Sequence, residues 1–288
     1  MIDLNTKEQI KGELNKRVMH IGSAKKAEVE LGISNATISN MLNDKASLIS
    51  DNMWRKMASA LGLKLDEKWQ HADTVPFTKF SNYFNDARLH ANVFGIVTNP
   101  GGGKTYTLDY NREMHKNVFY VKCFRSTTER DFLADILRSM RKIPQSYRIS
   151  ELLKEVVKEV SKAESPVIIV DEFEKVKTEV FLLSIDLYNA LEDKCGLVFI
   201  GTQNLKARIE TGVQRGTLGF NEFLSRIGGK VIEIPAPTHT DAALVISRNG
   251  VSDMKAIDLI ISKSDNDNHE VDLRRVKRLI HAHKQIAA

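Results

Sequence analysis

The residues best suited to chemistry form a glycine-rich loop between an apolar run and a helical pattern. Residues 93–97 predict a buried strand, and residues 98–107 follow it with the sequence TNPGGGKTYT. A strand, a glycine-rich loop and a helix that begins at Lys-Thr form a phosphate-binding loop, in which backbone N–H groups surround phosphate oxygens. We expect Lys104 to reach the same oxygens and the Thr105 hydroxyl to bind Mg²⁺. The loop residues assigned to the nucleotide are Asn99, Pro100, Gly101, Gly102, Gly103, Lys104, Thr105 and Tyr106.

A second polar site favours this interpretation over a glycine-rich turn that binds no ligand. That alternative arises because Thr98 stands where the pattern G-x-x-x-x-G-K-T/S has its first glycine. Residues 166–170, PVIIV, predict a parallel strand buried on both faces, and Asp171 and Glu172 follow it. Acids at the carboxyl end of such a strand lie where open α/β sheets bind ligands. We therefore expect Asp171 to hold Mg²⁺ and Glu172 to polarise the attacking water, rather than an ordinary solvated acidic turn.

Two later segments could complete a site for nucleotide hydrolysis. The apolar run at residues 197–200 is followed by GTQN, in which Thr202, or Asn204 as a second choice, could orient the attacking water. A turn that only caps the strand is the alternative. Arg226 lies in an otherwise apolar helical segment, from which an arginine could reach the γ-phosphate of a neighbouring subunit. Arg215 competes for this role, and a surface salt bridge is the alternative for Arg226.

The first 70 residues predict an all-helical domain with a helix-turn-helix. Gly32 marks a tight turn after a short helix, and Ser34 is a good N-cap for the next helix. At the front of such a recognition helix, asparagine can pair with adenine and a threonine methyl can contact thymine. The residues that we expect to face DNA are Asn35, Thr37 and Asn40. A small helical bundle that docks on a protein is the alternative.

Strands and helices alternate over residues 79–235, which predicts an α/β core with a parallel sheet covered by helices. Residues 71–78 are expected to link this core to the N-terminal domain. The predicted strands are residues 93–97, 118–122, 167–170, 197–200 and 231–234. Residues 236–288 predict a helical lid, from which Arg274 could fold back toward the nucleotide.

Composition sets broad limits on the kind of protein. The 288 residues carry 42 Lys and Arg against 37 Asp and Glu, and this mildly basic balance is compatible with nucleic acid without indicating it. No apolar run has the length of a transmembrane helix, and the N-terminus is polar, unlike a signal peptide. Cys123 and Cys195 stand in apolar runs and are expected to be reduced. We therefore expect a cytosolic protein without a membrane partner.

The motifs together resemble those of AAA+ ATPases. The shared features are the glycine-rich loop, the Val-Asp-Glu strand end, the polar strand end, a Ser-Arg-Ile segment and a Leu-Arg pair in the lid. Within that class, the domain order is similar to the target-DNA-binding transposition ATPases related to the B protein of phage Mu. Residues 36–39 with 42–44 are similar to that family's recognition helix, and residues 99–105 to its nucleotide loop. Thr98 and Thr202 differ from the glycine and asparagine expected there.

This resemblance implies an AAA+ fold that uses ATP and Mg²⁺, in the cytoplasm of a bacterial or phage-infected cell. It implies a helical assembly of subunits on double-stranded DNA that recruits and stimulates a transposase, with hydrolysis releasing the assembly. It also implies that the loop at residues 124–130 faces DNA. Arg125 and Arg130 would then contact phosphates, and the Thr127 and Thr128 hydroxyls would hydrogen-bond to them. An ordinary polar loop that caps the next helix is the alternative.

Three functions remain open from the sequence. The first is an ATP-dependent target-DNA-binding ATPase of transposition. The second is a helicase loader or replication initiator whose helix-turn-helix reads an origin sequence. The third is a non-enzymatic regulator in which ATP binding switches a repressor-like domain. Strong sequence specificity of the first 70 residues would favour the second, and indifference of function to Glu172→Gln would favour the third.

Overall fold

The chain divides into two compact units in a computed structural model that describes residues 4–43, 45, 48–63, 69–266 and 269–287. The smaller unit combines residues 1–72, 243–262 and 276–288, and the larger one combines residues 73–242 and 263–275. The helices are α1 (Leu4–Ile21), α2 (Ala24–Leu31), α3 (Asn35–Leu42), α4 (Asp51–Ala60), α5 (Val75–His90), α6 (Lys104–Met114), α7 (Glu129–Ser139), α8 (Ile149–Val160), α9 (Thr178–Leu191), α10 (Gln203–Gln214), α11 (Phe220–Arg226), α12 (His239–Arg248), α13 (Met254–Ser264) and α14 (Leu273–Ala287).

A parallel sheet forms the centre of the larger unit. Its strands in the described chain are β1 (Val93–Thr98), β2 (Val118–Lys122), β3 (Val167–Asp171), β4 (Gly196–Gly201) and β5 (Ile232–Ile234), in the order β2-β3-β4-β1-β5. Every pairing is parallel. The predicted α/β fold with a parallel sheet is therefore confirmed. Because β4 lies between β1 and β3, the polar residues that follow these three strands meet at one edge of the sheet.

Hydrophobic clusters cover both faces of the sheet. Ile168 and Val170 pack in the cluster that includes residues of α7 to α11, whereas Val167 and Ile169 pack in the cluster with α5 and α6. This alternation is the period of two that a strand imposes on its side chains. It explains why β3 is apolar at every position before its terminal acid, since both faces are buried.

Two segments contain more helix than the sequence predicts. Helix α5 begins at Val75, so residues 75–78, expected in a linker, are helical. The Thr74 hydroxyl caps it by accepting from the Phe77 N–H at 3.3 Å, and proline is tolerated in a first helical turn, where Pro76 lies. Residues 203–226, where the sequence predicts a helical segment only near Arg226, contain α10 and α11.

The smaller unit has a core of its own. It includes Ile10, Leu14, Ala27, Leu31, Ile33, Ile38, Met41, Trp54, Met57 and Ala58. Gly32 ends α2 in the left-handed region, and the Ser34 hydroxyl caps α3 by accepting from the Thr37 N–H at 3.3 Å. Ile33, Ile38 and Met41 are buried, and Leu42 is partly buried. Residues 243–262 and 276–288, which belong to the predicted lid, lie in this unit, and Asn249 there bonds both backbone groups of Gln70.

Phe173 anchors the turn that follows β3, and its removal should destabilise the larger unit. Its ring is fully buried, with the ring centroids of Phe199, Phe181 and Phe223 at 4.7, 5.6 and 5.8 Å. Phe173→Ala should lower the free energy of unfolding by about 3–5 kcal/mol, because it leaves a cavity in a close-packed cluster. Urea denaturation measures this change. The control Phe124→Ala removes a ring that is 54% exposed and should change stability by no more than about 0.5 kcal/mol. Equal losses for the two variants would contradict the assigned packing.

Candidate nucleotide-binding site

The loop between β1 and α6 presents an open helix N-terminus. Gly103 occupies the N-cap position with φ +85°, a left-handed conformation that glycine adopts without strain, and no side chain caps the helix. The first-turn N–H groups of α6 therefore have no capping acceptor, which is the arrangement that binds anions. A Cβ on Gly101 would lie 2.6 Å from the Asp272 carboxylate, so this position also requires glycine.

Lys104 and Asp171, 67 residues apart, meet directly. Lys104 Nζ lies 2.6 Å from Asp171 Oδ1, and the two side chains are 18% and 6% exposed. Asp171 continues the face of β3 that carries Val167 and Ile169, which is the face packed with α6. The structure thus brings together the two residues on which the predicted phosphate site depends.

Two further groups hold the Asp171 carboxylate. The Glu172 N–H donates to Oδ1 at 2.8 Å, and the Tyr120 hydroxyl donates to Oδ2 at 2.9 Å. Tyr120 lies on β2, next to β3 in the sheet. The sequence does not reveal this contact, because only the strand pairing places Tyr120 beside the acid.

Glu172 is held by two lysines. It has a left-handed backbone conformation with φ +57°, and its carboxylate pairs with Lys122 at 3.3 Å and with Lys175. Burial acts to raise the pKa of Glu172, but hydrogen bonds from Lys175 and Lys122 outweigh it and hold the pKa below its usual value. Glu172 is therefore a carboxylate at neutral pH, in the ionisation state that a water-polarising residue needs.

Thr202 contacts an acid that the sequence analysis did not single out. The Thr202 hydroxyl donates to Glu174 Oε1 at 3.1 Å and accepts from the Asn204 N–H at 3.4 Å, which caps α10. Glu174 Oε2 is buried and has no hydrogen-bond partner within the described residues. The available signal was the spacing Asp-Glu-Phe-Glu, in which buried Phe173 separates two acids. Thr202 therefore caps the helix that follows β4 and also contacts Glu174, and its role toward the attacking water stays a prediction.

Arg226 ends α11 among partners of its own chain. Its guanidinium lies 4.8 Å from the Tyr188 ring centroid, 3.6 Å from Glu222 and 4.0 Å from Glu192. Its Nε is buried without an acceptor in the part of the chain that the structure describes. The ion pairs expected as the alternative are thus formed, and a role toward a neighbouring subunit stays a prediction. Arg215, its competitor, is exposed at the end of α10.

The segment before α14 touches the phosphate loop. The Leu273 N–H donates to the Gly101 carbonyl at 3.0 Å, and Asn99 Nδ2 donates to Glu270 Oε1 at 3.0 Å. Arg274 follows directly, is exposed, and donates its N–H to Asp272 at 2.8 Å. Arg274 is the residue after Leu273, which contacts the phosphate loop. Its own contact with nucleotide stays a prediction.

The remaining loop residues surround the start of α6. Pro100 and Thr105 are exposed, and Gly102 is half-buried. Tyr106 packs with Phe77 and Tyr110, at ring-centroid distances of 6.4 and 6.3 Å. These positions leave the Thr105 hydroxyl accessible and place an aromatic cluster beside the first turn of α6.

Two of the four residues expected to bind DNA in the loop at 124–130 form hydrogen bonds with neighbouring residues of their own chain. Thr127 is buried, and its hydroxyl accepts from the Phe124 N–H at 2.9 Å. The Thr128 hydroxyl bonds Asp131 at 2.6 Å in a capping box that begins α7. Arg125 is exposed, and exposed Arg130 stacks on Tyr147 at 3.9 Å. Thr128 is exposed like the two arginines, but its hydroxyl is already bonded to Asp131, so the arginines have the polar groups available for phosphate contacts.

The three residues expected at the front of α3 are polar and at least partly accessible. Asn35 is exposed, whereas Thr37 and Asn40 are half-buried. The Thr37 hydroxyl lies 2.9 Å from the Ser34 hydroxyl, so it also supports the helix cap. Their contact with DNA stays a prediction.

The donor set fits a nucleotide-borne Mg²⁺. Within the described ranges, no group of three or more His, Cys, Asp or Glu side chains could hold a metal ion by itself. A Mg²⁺ ion that arrives with phosphates needs only one or two protein ligands and keeps several waters. The Asp171 carboxylate and the accessible Thr105 hydroxyl are groups of the kind that would serve as such ligands.

A family model matches the part of the chain that contains Lys104, Asp171 and Glu172. Residues 87–209 match the family model described as AAA domain. Among curated protein sequences, none matches the chain. A similar solved structure, titled "Structure of Drosophila ORC bound to DNA", contains a chain that is 16% identical with a TM-score of 0.41. The alignment covers 73% of this chain and 55% of that one, so this chain spans about half the length of the solved chain. Over the described residues, no helix is long and apolar enough to cross a membrane.

Proposed function

We propose that this chain, which carries an AAA domain over residues 87–209 on the parallel sheet of an AAA+ P-loop fold, is an ATP-dependent DNA-binding ATPase of transposition. It assembles on double-stranded target DNA as a helical oligomer, recruits and stimulates a transposase, and is released by hydrolysis. The observation that carries the nucleotide part is the 2.6 Å contact between Lys104 and Asp171 beside an uncapped helix N-terminus. The transposition part is supported by the order of motifs and by the short matches in the loop and in α3.

ATP would bind to charged groups, Lys104 and Asp171, that other contacts already position in the site. The phosphate oxygens compete with Asp171 for the Lys104 ammonium, and they accept from the N–H groups at the start of α6. Asp171 and Thr105 would hold Mg²⁺, which supplies neutralisation of phosphate charge when bound. Tyr106 lies in the first turn of α6, and its aromatic ring offers a face for the base of the nucleotide.

Hydrolysis requires a polarised water and stabilisation of charge on the transferred phosphoryl group. Glu172 is ionised and supplies the carboxylate for the water, once it moves away from Lys122 and Lys175. Thr202 lies at the carboxyl end of β4, the strand between those that precede Lys104 and Glu172, so its hydroxyl is suited to orient the water. Arg226, at the end of α11, is the residue that we assign to the γ-phosphate of a neighbouring subunit.

Electron microscopy of the full chain with duplex DNA tests the proposal. Filaments that require a non-hydrolysable ATP analogue are the expected result. Protein that binds one origin-like sequence without forming filaments would instead indicate a loader or initiator. DNA binding that is independent of nucleotide would overturn the proposal.

Thr202→Val should slow ATP hydrolysis without removing ATP binding. The change preserves shape but removes the hydroxyl that bonds Glu174 and that we expect to orient the water. The expected loss in kcat is about tenfold to a hundredfold, equivalent to about 1.4–3 kcal/mol for a lost hydrogen bond in a buried polar site. Steady-state kinetics measure it. Thr211→Val, at an exposed position on the same helix, is the control, and an unchanged kcat for Thr202→Val would remove Thr202 from the mechanism.

Arg125→Ala should weaken DNA binding and reduce its salt dependence. A phosphate contact contributes about 0.9 to the slope of log K against log salt on duplex DNA. Fluorescence anisotropy with a labelled duplex, titrated at several salt concentrations, measures this slope. Arg138→Ala removes an exposed arginine of α7 that pairs with Asp135 and should leave the slope unchanged. Identical slopes for both variants and the parent would exclude the loop at 124–130 from the DNA interface.

A further inference from the structure

Tyr120 is the group on β2 that reaches the strand-end carboxylate. Its hydroxyl donates to Asp171 Oδ2 at 2.9 Å, on the opposite oxygen from the one that Lys104 contacts. Both residues face the side of the sheet that packs with α6. The hydrogen bond is shielded from water, since Asp171 is buried and Tyr120 is half-buried.

The ring of Tyr120 also contacts the helix that begins with Lys104. The Arg112 guanidinium on α6 lies 5.0 Å from the ring centroid, in cation–π geometry. Tyr120 therefore connects the phosphate-loop helix to the carboxylate of β3. The Tyr120 hydroxyl is the donor in this hydrogen bond, because a carboxylate can only accept.

The partners of Asp171 respond differently to a bound nucleotide. Phosphate oxygens draw the Lys104 ammonium away from Oδ1, because they are anionic acceptors for the same donor. The Tyr120 hydroxyl has no such competitor and stays on Oδ2. Outer-shell hydrogen bonds of this kind fix the orientation of a metal-binding carboxylate and raise its affinity.

We propose that Tyr120 is a positioning residue that fixes the Asp171 carboxylate for the magnesium-bound form of the nucleotide. This inference rests on the proposed function, because it concerns the same site. It assigns the Mg²⁺ dependence of nucleotide binding to a tyrosine on β2, which does not itself touch the phosphates.

Tyr120→Phe tests the role of the hydroxyl, because it keeps the ring and its contact with Arg112. Binding of a fluorescent ATP analogue to the full chain is titrated with Mg²⁺ and repeated in EDTA. The Mg²⁺ concentration at half-maximal binding should rise about tenfold, while affinity in EDTA stays unchanged. Tyr83→Phe, on α5 and 5.2 Å from the ring of Phe94, is the matched control and should match the parent in both titrations.

A double-mutant cycle separates positioning from general damage. In an Asp171→Asn background, adding Tyr120→Phe should cause no further shift in the Mg²⁺ midpoint, because the carboxylate is already absent. An unchanged midpoint in the single variant, or equal losses with and without Mg²⁺, would overturn the inference while leaving the proposed function intact. A parent protein that binds no nucleotide would overturn both.

Discussion

Lys104→Ala should abolish measurable ATP binding, the largest effect expected of any single substitution in this chain. The variant removes the charge that faces the phosphates and leaves Asp171, which is buried, without its ion-pair partner. Loss of a charge-assisted contact to phosphate, together with an uncompensated acid in the same site, should weaken binding by at least about a hundredfold. Isothermal titration with ATP and Mg²⁺ measures the loss, and filaments on DNA should disappear with it.

The lost ion pair could also lower stability, so the comparison needs variants that separate the two effects. Lys104→Met keeps the aliphatic length, and circular dichroism shows whether each variant is folded. Lys116→Ala, which removes an exposed lysine shortly after α6, is the control and should bind ATP like the parent. A folded Lys104→Ala protein with parental affinity would refute the phosphate site.

Glu172→Gln should separate binding from hydrolysis. The amide preserves size but cannot take up the proton of the attacking water, so kcat should fall by about a hundredfold to ten-thousandfold. ATP affinity should stay close to that of the parent, because the contacts of Lys104 and Asp171 are unaffected. The variant should therefore remain on DNA in the presence of ATP and fail to be released. Phosphate-release kinetics and the lifetime of filaments measure the two consequences.

Glu179→Gln, at an exposed position on α9, is the matched control and should hydrolyse ATP like the parent. Full activity of Glu172→Gln would transfer the role of the base to another acid, of which Glu174, two residues further along the chain, is the first candidate. Normal biological function with no measurable hydrolysis in either the parent or the variant would indicate a regulator rather than an ATPase.

The sequence predicted the parallel sheet well, for local reasons. Uninterrupted β-branched runs are typical of strands buried on both faces, and β3 is such a strand. The glycine-rich loop and the acids after β3 needed only the rule that parallel strands place their carboxyl ends at one edge. That rule is sufficient to predict that Lys104 and Asp171 lie close together.

The remaining features depend on strand pairing and on turns that the sequence does not reveal. Tyr120 and Lys122 reach the acids only because β2 pairs with β3 in one particular register. Glu174 reaches Thr202 because the turn after β3 buries Phe173 and directs its neighbour toward β4. Conversely, the hydroxyls of Thr127 and Thr128 form local bonds, since threonine competes well for nearby backbone and carboxylate partners.

The bond between the Leu273 N–H and the Gly101 carbonyl joins two main-chain groups. Most substitutions at position 273 change only the side chain, so the N–H that donates to the Gly101 carbonyl is kept. Proline is the exception, because it lacks the N–H yet is compatible with the first position of a helix. Leu273→Pro would therefore remove this one main-chain link, while the start of α14 and the contact between Asn99 and Glu270 would remain.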